Sequence, residues 1–418
     1  MVERLALAAG DAASVAAQVR TYLPAPGSVA DRVAGIVESV REGGDHALLE
    51  HERRFAAADG TAPLSVPADE LRAALDALDP DVRSGLELAR DNVELVARAA
   101  LGEDRDVELP QGQWIRLREL PVARAAVYAP GGRQPYPSSV VMGVVTARVA
   151  GVEDVVVAAP AHGVILAACA LCGPTAVYRM GGAQAIAALA FGTETIRPVD
   201  VIVGPGNMYV QEAKRQLTGL VGSDGFAGPS DLLVLASSGA DAHLIALDML
   251  AQAEHGDDSL VVAVSDDVAL LDAVGRELQA LYRDRPSVAA GPKVLVDAAD
   301  LASALALSEA LAPEHLQLVG AAAEALAPRV RNAGCVFVGA ASATAFGDYV
   351  AGSNHTLPTA GAARFASGLN VGHFRRRMAE VHVGDAATQL ARAGVPIAEA
   401  EGFVVHAESM SARIRENR

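Results

Sequence analysis

The chain has 418 residues, 51% of them hydrophobic, enough to bury one large core or two to three smaller ones. Its 51 acidic residues outweigh 34 basic ones for a formal charge of −17, a surface that repels phosphate backbones and anionic lipid. That balance sets nucleic acid and membrane surfaces aside as expected partners. Aromatic residues are only 4% of the chain, so Ala, Val and Leu carry the apolar content, which suits helices packed on parallel strands.

In chain order, the start MVERLALAAGDAASV lacks the basic head and sustained apolar core of a signal peptide. No apolar run reaches the roughly 20 residues of a membrane span, and the expected location is a reducing cytoplasm. Residues 28 to 100 read as helix. SVADRVAGIVESVREGGDHALLEHERRF opens on a Ser28 cap, repeats apolar residues at helical spacing and is punctuated by Gly43-Gly44. A second helical stretch breaks at Asp79-Pro80 and resumes. From about Leu120 short β-rich runs alternate with helix-like stretches, from AAVYAP at Ala125 through DVVVAAP and VYRM to VDVIVG at Val199. A second series runs from DLLVLA at Asp231 through SLVVAVS, KVLVD and LQLV to CVFVG at Cys335. Two βαβ series in tandem predict an α/β protein of two Rossmann-like lobes with parallel sheets, and smaller helical segments at both ends. The boundaries fall at an N-terminal helical arm (1–117), a first lobe (118–228), a second lobe (229–345) and a loop-rich, helical C-terminal segment (346–418). Cys169 and Cys172 form a CxxC within the apolar run VILAACALCG and, with Cys335, read as structural thiols, too few for a disulfide framework.

Ligands of open α/β sheets bind beyond the carboxyl ends of the strands. VYAPGGR places Tyr128 and Pro130-Gly131-Gly132 at such an end, VYRMGGAQA places Gly181-Gly182 there with Gln184 in the next helical turn, and VIVGPGN does so with Gly204, Gly206 and Asn207. Each is either a tight turn or a nucleotide cradle, since glycines admit a ligand to the backbone and helix N-termini favour phosphate. Three in succession favour the nucleotide, although none is an intact GxGxxG and no acidic ribose partner is identifiable. AGPS, ending at Ser230, has an adequate reading as a plain turn. Gln252 and His255 share a helix face and are open to two readings, metal ligand or dipole-stabilised helix end. Glu314-His315, stiffened by Pro313, pairs an acid with an imidazole; it is read as a tuned base or as a polar connector. Asp348 and His355, in a glycine-rich loop, and Glu401 and His406, near the C-terminus, are further candidates. The other histidines sit in ordinary settings.

VYAPGGRQPYPSSVVMGVVTARVAGV, YRMGGAQAIAALAFGT, DVIVGPGNMYVQEAKRQ, AGPSDLLVLA, DMLAQAEHG, LAPEHLQL, GDYVAGSNHTLPT and EGFVVHAES together resemble the histidinol dehydrogenase family, in the family's order and over roughly residues 25 to 412. The resemblance implies a homodimer in which the C-terminal part of one subunit completes the partner's site. It implies a zinc-dependent, NAD-linked alcohol dehydrogenase with one Zn²⁺ per subunit, held at Gln252, His255, Asp348 and His406. Glu314 and His315 match the family's catalytic pair, and Tyr128, Gln184 and Asn207 match positions that contact NAD. Ser230 and Glu401 match substrate-contact positions, which the metal and catalytic residues complete. The implied reaction carries a small amino alcohol, L-histidinol, through the aldehyde to L-histidine with two NAD, as a step of histidine biosynthesis. APAHGVILAAC is short for the pattern, SDGFAGPS replaces an Ile-Asp-Met type lead-in, and Ser342-Ala343-Thr344-Ala345 stands where Pro-Glu is common. These departures leave substrate identity open, with a paralogue oxidising another small polar alcohol such as a sulfonated diol as the alternative. A non-catalytic NAD- or metal-binding relative is a further reading, against which the intact Gln252, His255, Asp348, His406 and Glu314, His315 sets argue.

Overall fold

The computed structural model describes residues 2–23, 29–55, 63–131, 134–225 and 229–414; the Ser28 cap and Gly132 lie outside the described residues. The chain divides into two compact units, one of Met1–Ala100 and Ala123–Phe374, the other of Leu101–Val122 and Arg375–Arg418.

The first unit begins with a strand, β1 (Val2–Leu7), then helices α1 (Ala12–Arg20), α2 (Ala30–Phe55), α3 (Ala68–Asp76) and α4 (Pro80–Ala99). The helical reading of residues 28 to 100 is borne out over α2, α3 and α4, but residues 63–67 between α2 and α3 are extended, with Ser65 bridged to Tyr178. Asp79 caps α4 through the Asp81 and Val82 amides, with Pro80 at the first helical position, where its missing N–H costs nothing. In α2 the helix kinks at Gly44, whose φ of 52° is left-handed. Its second half restarts against Glu194, whose carboxylate accepts the Asp45 amide at 2.8 Å, while Thr195 Oγ1 donates to the Asp45 carboxylate. Val33, Val37, Val40 and Leu48 bury the inner face of α2. β1 was not expected. It is short and half-exposed, and its partner lies some 290 residues along the chain, so nothing local marks it.

After β2 (Arg105–Glu108) and β3 (Trp114–Pro121), which belong to the second unit, the first βαβ series forms. It comprises β4 (Arg124–Tyr128), α5 (Pro137–Val149), β5 (Asp154–Ala159), α6 (Gly163–Cys172), β6 (Ala176–Arg179), α7 (Gly182–Phe191), β7 (Val201–Val203), α8 (Met208–Gln216) and β8 (Gly222–Ser223). The strands are parallel in the order β6-β5-β4-β7-β8. Helices cover both faces, so β4 is buried along its whole length, and unbroken apolar runs rather than alternation mark the central strands. The order reverses between β4 and β7, which makes that crevice the topological switch point. Gly204 has φ of +117°, and a Cβ there would lie 2.0 Å from the Tyr128 carbonyl oxygen, so only glycine lets the β7–α8 turn pass the end of β4.

The second series gives β9 (Asp231–Ala236), α9 (Ala242–Ala253), β10 (Leu260–Ser265), α10 (Val268–Tyr282), β11 (Lys293–Ala298), α11 (Leu301–Leu311), β12 (His315–Val319), α12 (Ala321–Glu324) and β13 (Cys335–Val338), followed by α13 (Thr344–Tyr349). Its sheet is also parallel, ordered β1-β11-β10-β9-β12-β13. The expected α/β architecture with two parallel sheets is thus present. The three cysteines are free; burial pushes the Cys172 thiol up to about 12 and raises that of Cys169 further, which suits an inert role.

The second unit is built on an antiparallel sheet, β14-β3-β2, in which β14 (Arg375–His382) pairs along β3. Helices α14 (Ala387–Ala400) and α15 (Val404–Ser411) follow, matching the helical chain end read from sequence. β14 was unexpected, because RRRMAEVH carries charge on both faces and lacks clean alternation. Among the described residues no helix is long and apolar enough to cross a membrane. Replacing Gly204 by Ala forces a Cβ into the Tyr128 carbonyl. We expect the variant to lose about 2–4 kcal/mol of stability, read as a lowered thermal midpoint; an unchanged midpoint would contradict the close approach.

Candidate active site

Both sheets of the first unit open onto one cleft of about 1510 Å³. Tyr128, Gly181, Gly206 and Asn207 reach it from the carboxyl ends of β4, β6 and β7, as expected for an open α/β sheet. From the second sheet the reverse edge contributes. Ser230, Glu314 and His315 precede or begin β9 and β12, so it is the amino ends of those strands that face the cleft.

At the first edge the glycine turns are already tied by side chains. The Gly182 amide donates to the Tyr128 hydroxyl at 3.0 Å, and the Gly181 amide donates to Glu52 Oε1 at 2.9 Å. The same Glu52 oxygen accepts Gln184 Nε2 at 2.9 Å. Burial raises the Glu52 carboxyl, offset in part by those two donors. Asn207 caps α8, its side-chain oxygen accepting the Tyr209 and Val210 amides. Behind the turn, buried Lys214 donates to the Gly204 carbonyl at 2.6 Å and to Asp224 Oδ1 at 2.7 Å, while Asp224 Oδ2 accepts the Gly204 amide. One ion pair therefore holds both polar groups of Gly204.

At the second edge β9 and β12 are parallel neighbours with His315 opposite Leu232, which sets Asp231 beside Glu314. The two acids exchange hydrogen bonds: the Glu314 amide donates to the Asp231 carboxylate at 2.7 Å, and the Asp231 amide donates to Glu314 Oε2 at 3.1 Å. Ser230 Oγ donates to that same Glu314 oxygen, and Gln252 Nε2 donates to Ser230 Oγ. His315 Nδ1 lies 3.2 Å from the Asp231 carbonyl, a contact that fixes the proton on Nδ1 and turns Nε2 toward Asp348 Oδ1, 3.8 Å away. Glu314 and His315 are only 6% and 2% exposed, so the charges act with little solvent screening. Burial raises the Glu314 carboxyl. For Asp231, burial and then the Glu314 charge bring it to about 7. Burial works to lower His315, but Glu314 and then Asp348 outweigh it and lift the imidazole to about 9. Asp348, despite burial, is held low by its contact with His315.

The structure thus gathers Tyr128, Gln184, Asn207, Ser230, His255, Glu314, His315 and Asp348 on one cleft, with Gln252 bonded to Ser230 just behind it. Glu401 and His406 belong to the second unit. His355 is held between the Asp348 carbonyl and Ser139 Oγ, so it braces the α13 loop. His51 and His162, which the sequence left unassigned, also line the cleft. Glu52 and Asp231 were missed. Glu52 sits in a helix rich in Glu, His and Arg, and Asp231 reads as the polar first residue of an apolar strand, so neither carried a local signal.

Among the described residues no three His, Cys, Asp or Glu side chains form a group that could hold a metal ion. The first unit supplies a smaller donor set whose chemistry fits zinc. His255 Nδ1 is engaged by the Gln252 carbonyl at 3.2 Å, which leaves Nε2 as the ligating nitrogen, and the Gln252 amide nitrogen is spent on Ser230, which leaves its oxygen. With the Asp348 carboxylate these are oxygen and nitrogen donors of the kind zinc accepts.

Two parallel-sheet lobes facing one cleft, glycine turns on one edge and a buried acid–imidazole pair on the other, define a two-lobed α/β enzyme. A family model described as Histidinol dehydrogenase matches residues 24–414. The chain is 42% identical over 397 residues to the histidinol dehydrogenase of Rhizobium meliloti (strain 1021), covering 91% of each. It is 43% identical over 426 residues to that of Nocardia farcinica (strain IFM 10152), covering 95% of each. The crystal structure of histidinol dehydrogenase from Elizabethkingia anophelis superposes with a TM-score of 0.91 at 28% identity, over 98% of this chain and 97% of that one. The chain belongs to the histidinol dehydrogenase family.

The Lys214–Asp224 pair gives a test of how the carboxyl edge of the first sheet is held. Lys214→Met strands a buried carboxylate and is expected to cost about 3–5 kcal/mol, whereas Lys214→Met with Asp224→Asn, which removes both charges, recovers most of it. Chemical denaturation of the three variants decides; a double variant as unstable as Lys214→Met would contradict the pairing.

Proposed function

We propose that this protein oxidises L-histidinol through the aldehyde to L-histidine, with two NAD⁺ as hydride acceptors and a bound Zn²⁺, in histidine biosynthesis. The observation that carries the reading is the buried Glu314–His315 pair on a cleft shared with Ser230, His255 and Asp348, in a chain of the histidinol dehydrogenase family.

The first oxidation moves a hydride from the carbinol carbon to NAD⁺ and releases the hydroxyl proton, leaving aldehyde and NADH. His315 in its neutral form, which an imidazole raised to about 9 reaches at alkaline pH, is suited to take that proton at Nε2, because its Nδ1 is committed to the Asp231 carbonyl and its ring is fixed by burial. The second adds water to the aldehyde and moves another hydride to a second NAD⁺, giving carboxylate, NADH and two protons. Glu314 is suited to draw a proton from that water. Its carboxyl is raised by burial, yet aimed by Ser230 Oγ and the Asp231 amide. Gln252, His255 and Asp348, with His406 as the fourth ligand, would hold the zinc, which when bound orients the substrate through its nitrogens. Ser230 and Glu401 are the remaining substrate contacts, and Tyr128, Gln184 and Asn207 the cofactor contacts. We further propose a homodimer in which the C-terminal segment carrying His406 completes the partner's site, in the cytoplasm.

His315→Asn is expected to lower turnover by roughly 10²–10⁴-fold, and steady-state rates near the native value would remove His315 from the mechanism. Glu314→Gln should chiefly impair the second oxidation. Trapping with a carbonyl reagent is expected to capture aldehyde, and an unchanged acid yield would contradict that role. The direct test of the function is the NADH formed per L-histidinol by zinc-loaded protein, before and after chelation. Two NADH per histidinol, lost on chelation and restored by zinc, is the expected result. No NADH from histidinol would move the assignment to a paralogue acting on another small polar alcohol.

A further inference from the structure

At the cofactor edge one acidic side chain stands apart from the residues assigned so far. Glu52 reaches the Gly181-Gly182 turn from α2, outside both βαβ series. Its position is built rather than incidental. Gly44 breaks α2, Glu194 and Thr195 of the first lobe seat Asp45 at the restart, and two helical turns later Glu52 meets the Gly181 amide.

Its two oxygens are used unequally. Oε1 accepts both the Gly181 amide and Gln184 Nε2, each at 2.9 Å. Oε2 has no hydrogen-bond partner among the described residues, and Glu52 lines the cleft beside Tyr128, Gln184 and Asn207. One oxygen anchored by two donors fixes the direction of the other. A fixed, negatively charged acceptor facing a ligand cleft binds hydroxyl donors and repels phosphate. With Gly181 and Gly182 already bonded to Glu52 and Tyr128, the turn has little left to offer an anion.

We propose that Glu52 accepts a hydrogen bond from a ribose hydroxyl of the dinucleotide, and that its charge makes the protein select NAD⁺ over the 2′-phosphorylated NADP⁺. This rests on the reading of the cleft's first edge as the cofactor site. An acidic side chain taking the ribose hydroxyls is the general device of dinucleotide folds; here it comes from an N-terminal helix instead of a strand end, which is why no sequence fingerprint reveals it. The cleft also holds three arginines, the cations a phosphate would need; Arg179 is spent on Glu70 and the Pro63 carbonyl, which leaves Arg32 and Arg54. Each is laid over an aromatic ring, Arg32 5.7 Å from the Tyr209 centroid and Arg54 5.2 Å from that of Phe55.

The test measures NAD⁺ and NADP⁺ binding by calorimetry on the full chain, without alcohol, for the native protein, Glu52→Gln and Glu52→Asp, with thermal melts to confirm folding. The native protein should prefer NAD⁺. Glu52→Gln should weaken NAD⁺ by about 10- to 100-fold, the loss expected for a charged hydrogen bond, and strengthen NADP⁺ so that the preference collapses. Glu52→Asp, which keeps the charge, should retain the preference even where stability falls. Native protein preferring NADP⁺ would assign the arginines instead and overturn the proposal, as would a Glu52→Gln variant with an unchanged NAD⁺/NADP⁺ ratio. Equal tightening of both nucleotides in Glu52→Gln would make Glu52 a competitor for the turn and also overturn it. If native protein binds neither nucleotide, the cofactor reading itself fails and this assignment falls with it.

Discussion

The structure depends on burying an imidazole among carboxylates at the start of two neighbouring parallel strands. Glu314, His315 and Asp231 are nearly inaccessible to water, and an unpaired charge there would be several kcal/mol too costly to keep. The fold meets that constraint by pairing. Asp231 and Glu314 each accept the other's amide, Ser230 adds a second donor to Glu314, the Asp231 carbonyl accepts His315 Nδ1, and Asp348 Oδ1 lies 3.8 Å from Nε2. Side chains held this way lose little further freedom when a substrate arrives.

The same constraint explains the asymmetry between the lobes. The first sheet presents its carboxyl edge, where glycine turns and helix N-termini suit a nucleotide. The second presents its amino edge, where Pro313 and Pro229 lead into strands that begin with acids or an imidazole. One cleft thereby receives backbone amides from one lobe and titratable side chains from the other. Proposed hydride transfer needs both: a dinucleotide seated on one wall, a proton acceptor on the other.

Much of this was legible in the sequence, for reasons that differ by element. Central strands such as Ala125–Val127 and Leu232–Leu235 are unbroken apolar runs, because helices cover both faces. The strands β1 and β14 were invisible, one because its partner is distant along the chain and the other because it is charged on both faces. Glu314-His315 stood out as an acid–imidazole pair after proline, but its burial and its reciprocal bonds to Asp231 arise only when β9 and β12 align. Gln252 could be paired with His255 by helical spacing; its bond to Ser230 could not be foreseen. Glu401 and His406 were named through resemblance alone, and they belong to the other unit of the fold.

The central claim is that Ser230, Glu314 and their neighbours work as one preorganised unit. The most direct measurement is a double-mutant cycle on kcat/KM for oxidation of the aldehyde, using Ser230→Ala, Glu314→Gln and the combination. If Ser230 acts by aiming Glu314, the double variant should be little worse than Glu314→Gln alone. Losses that simply multiply would mean the two side chains act independently, and the account of the buried network as the seat of reactivity would be wrong.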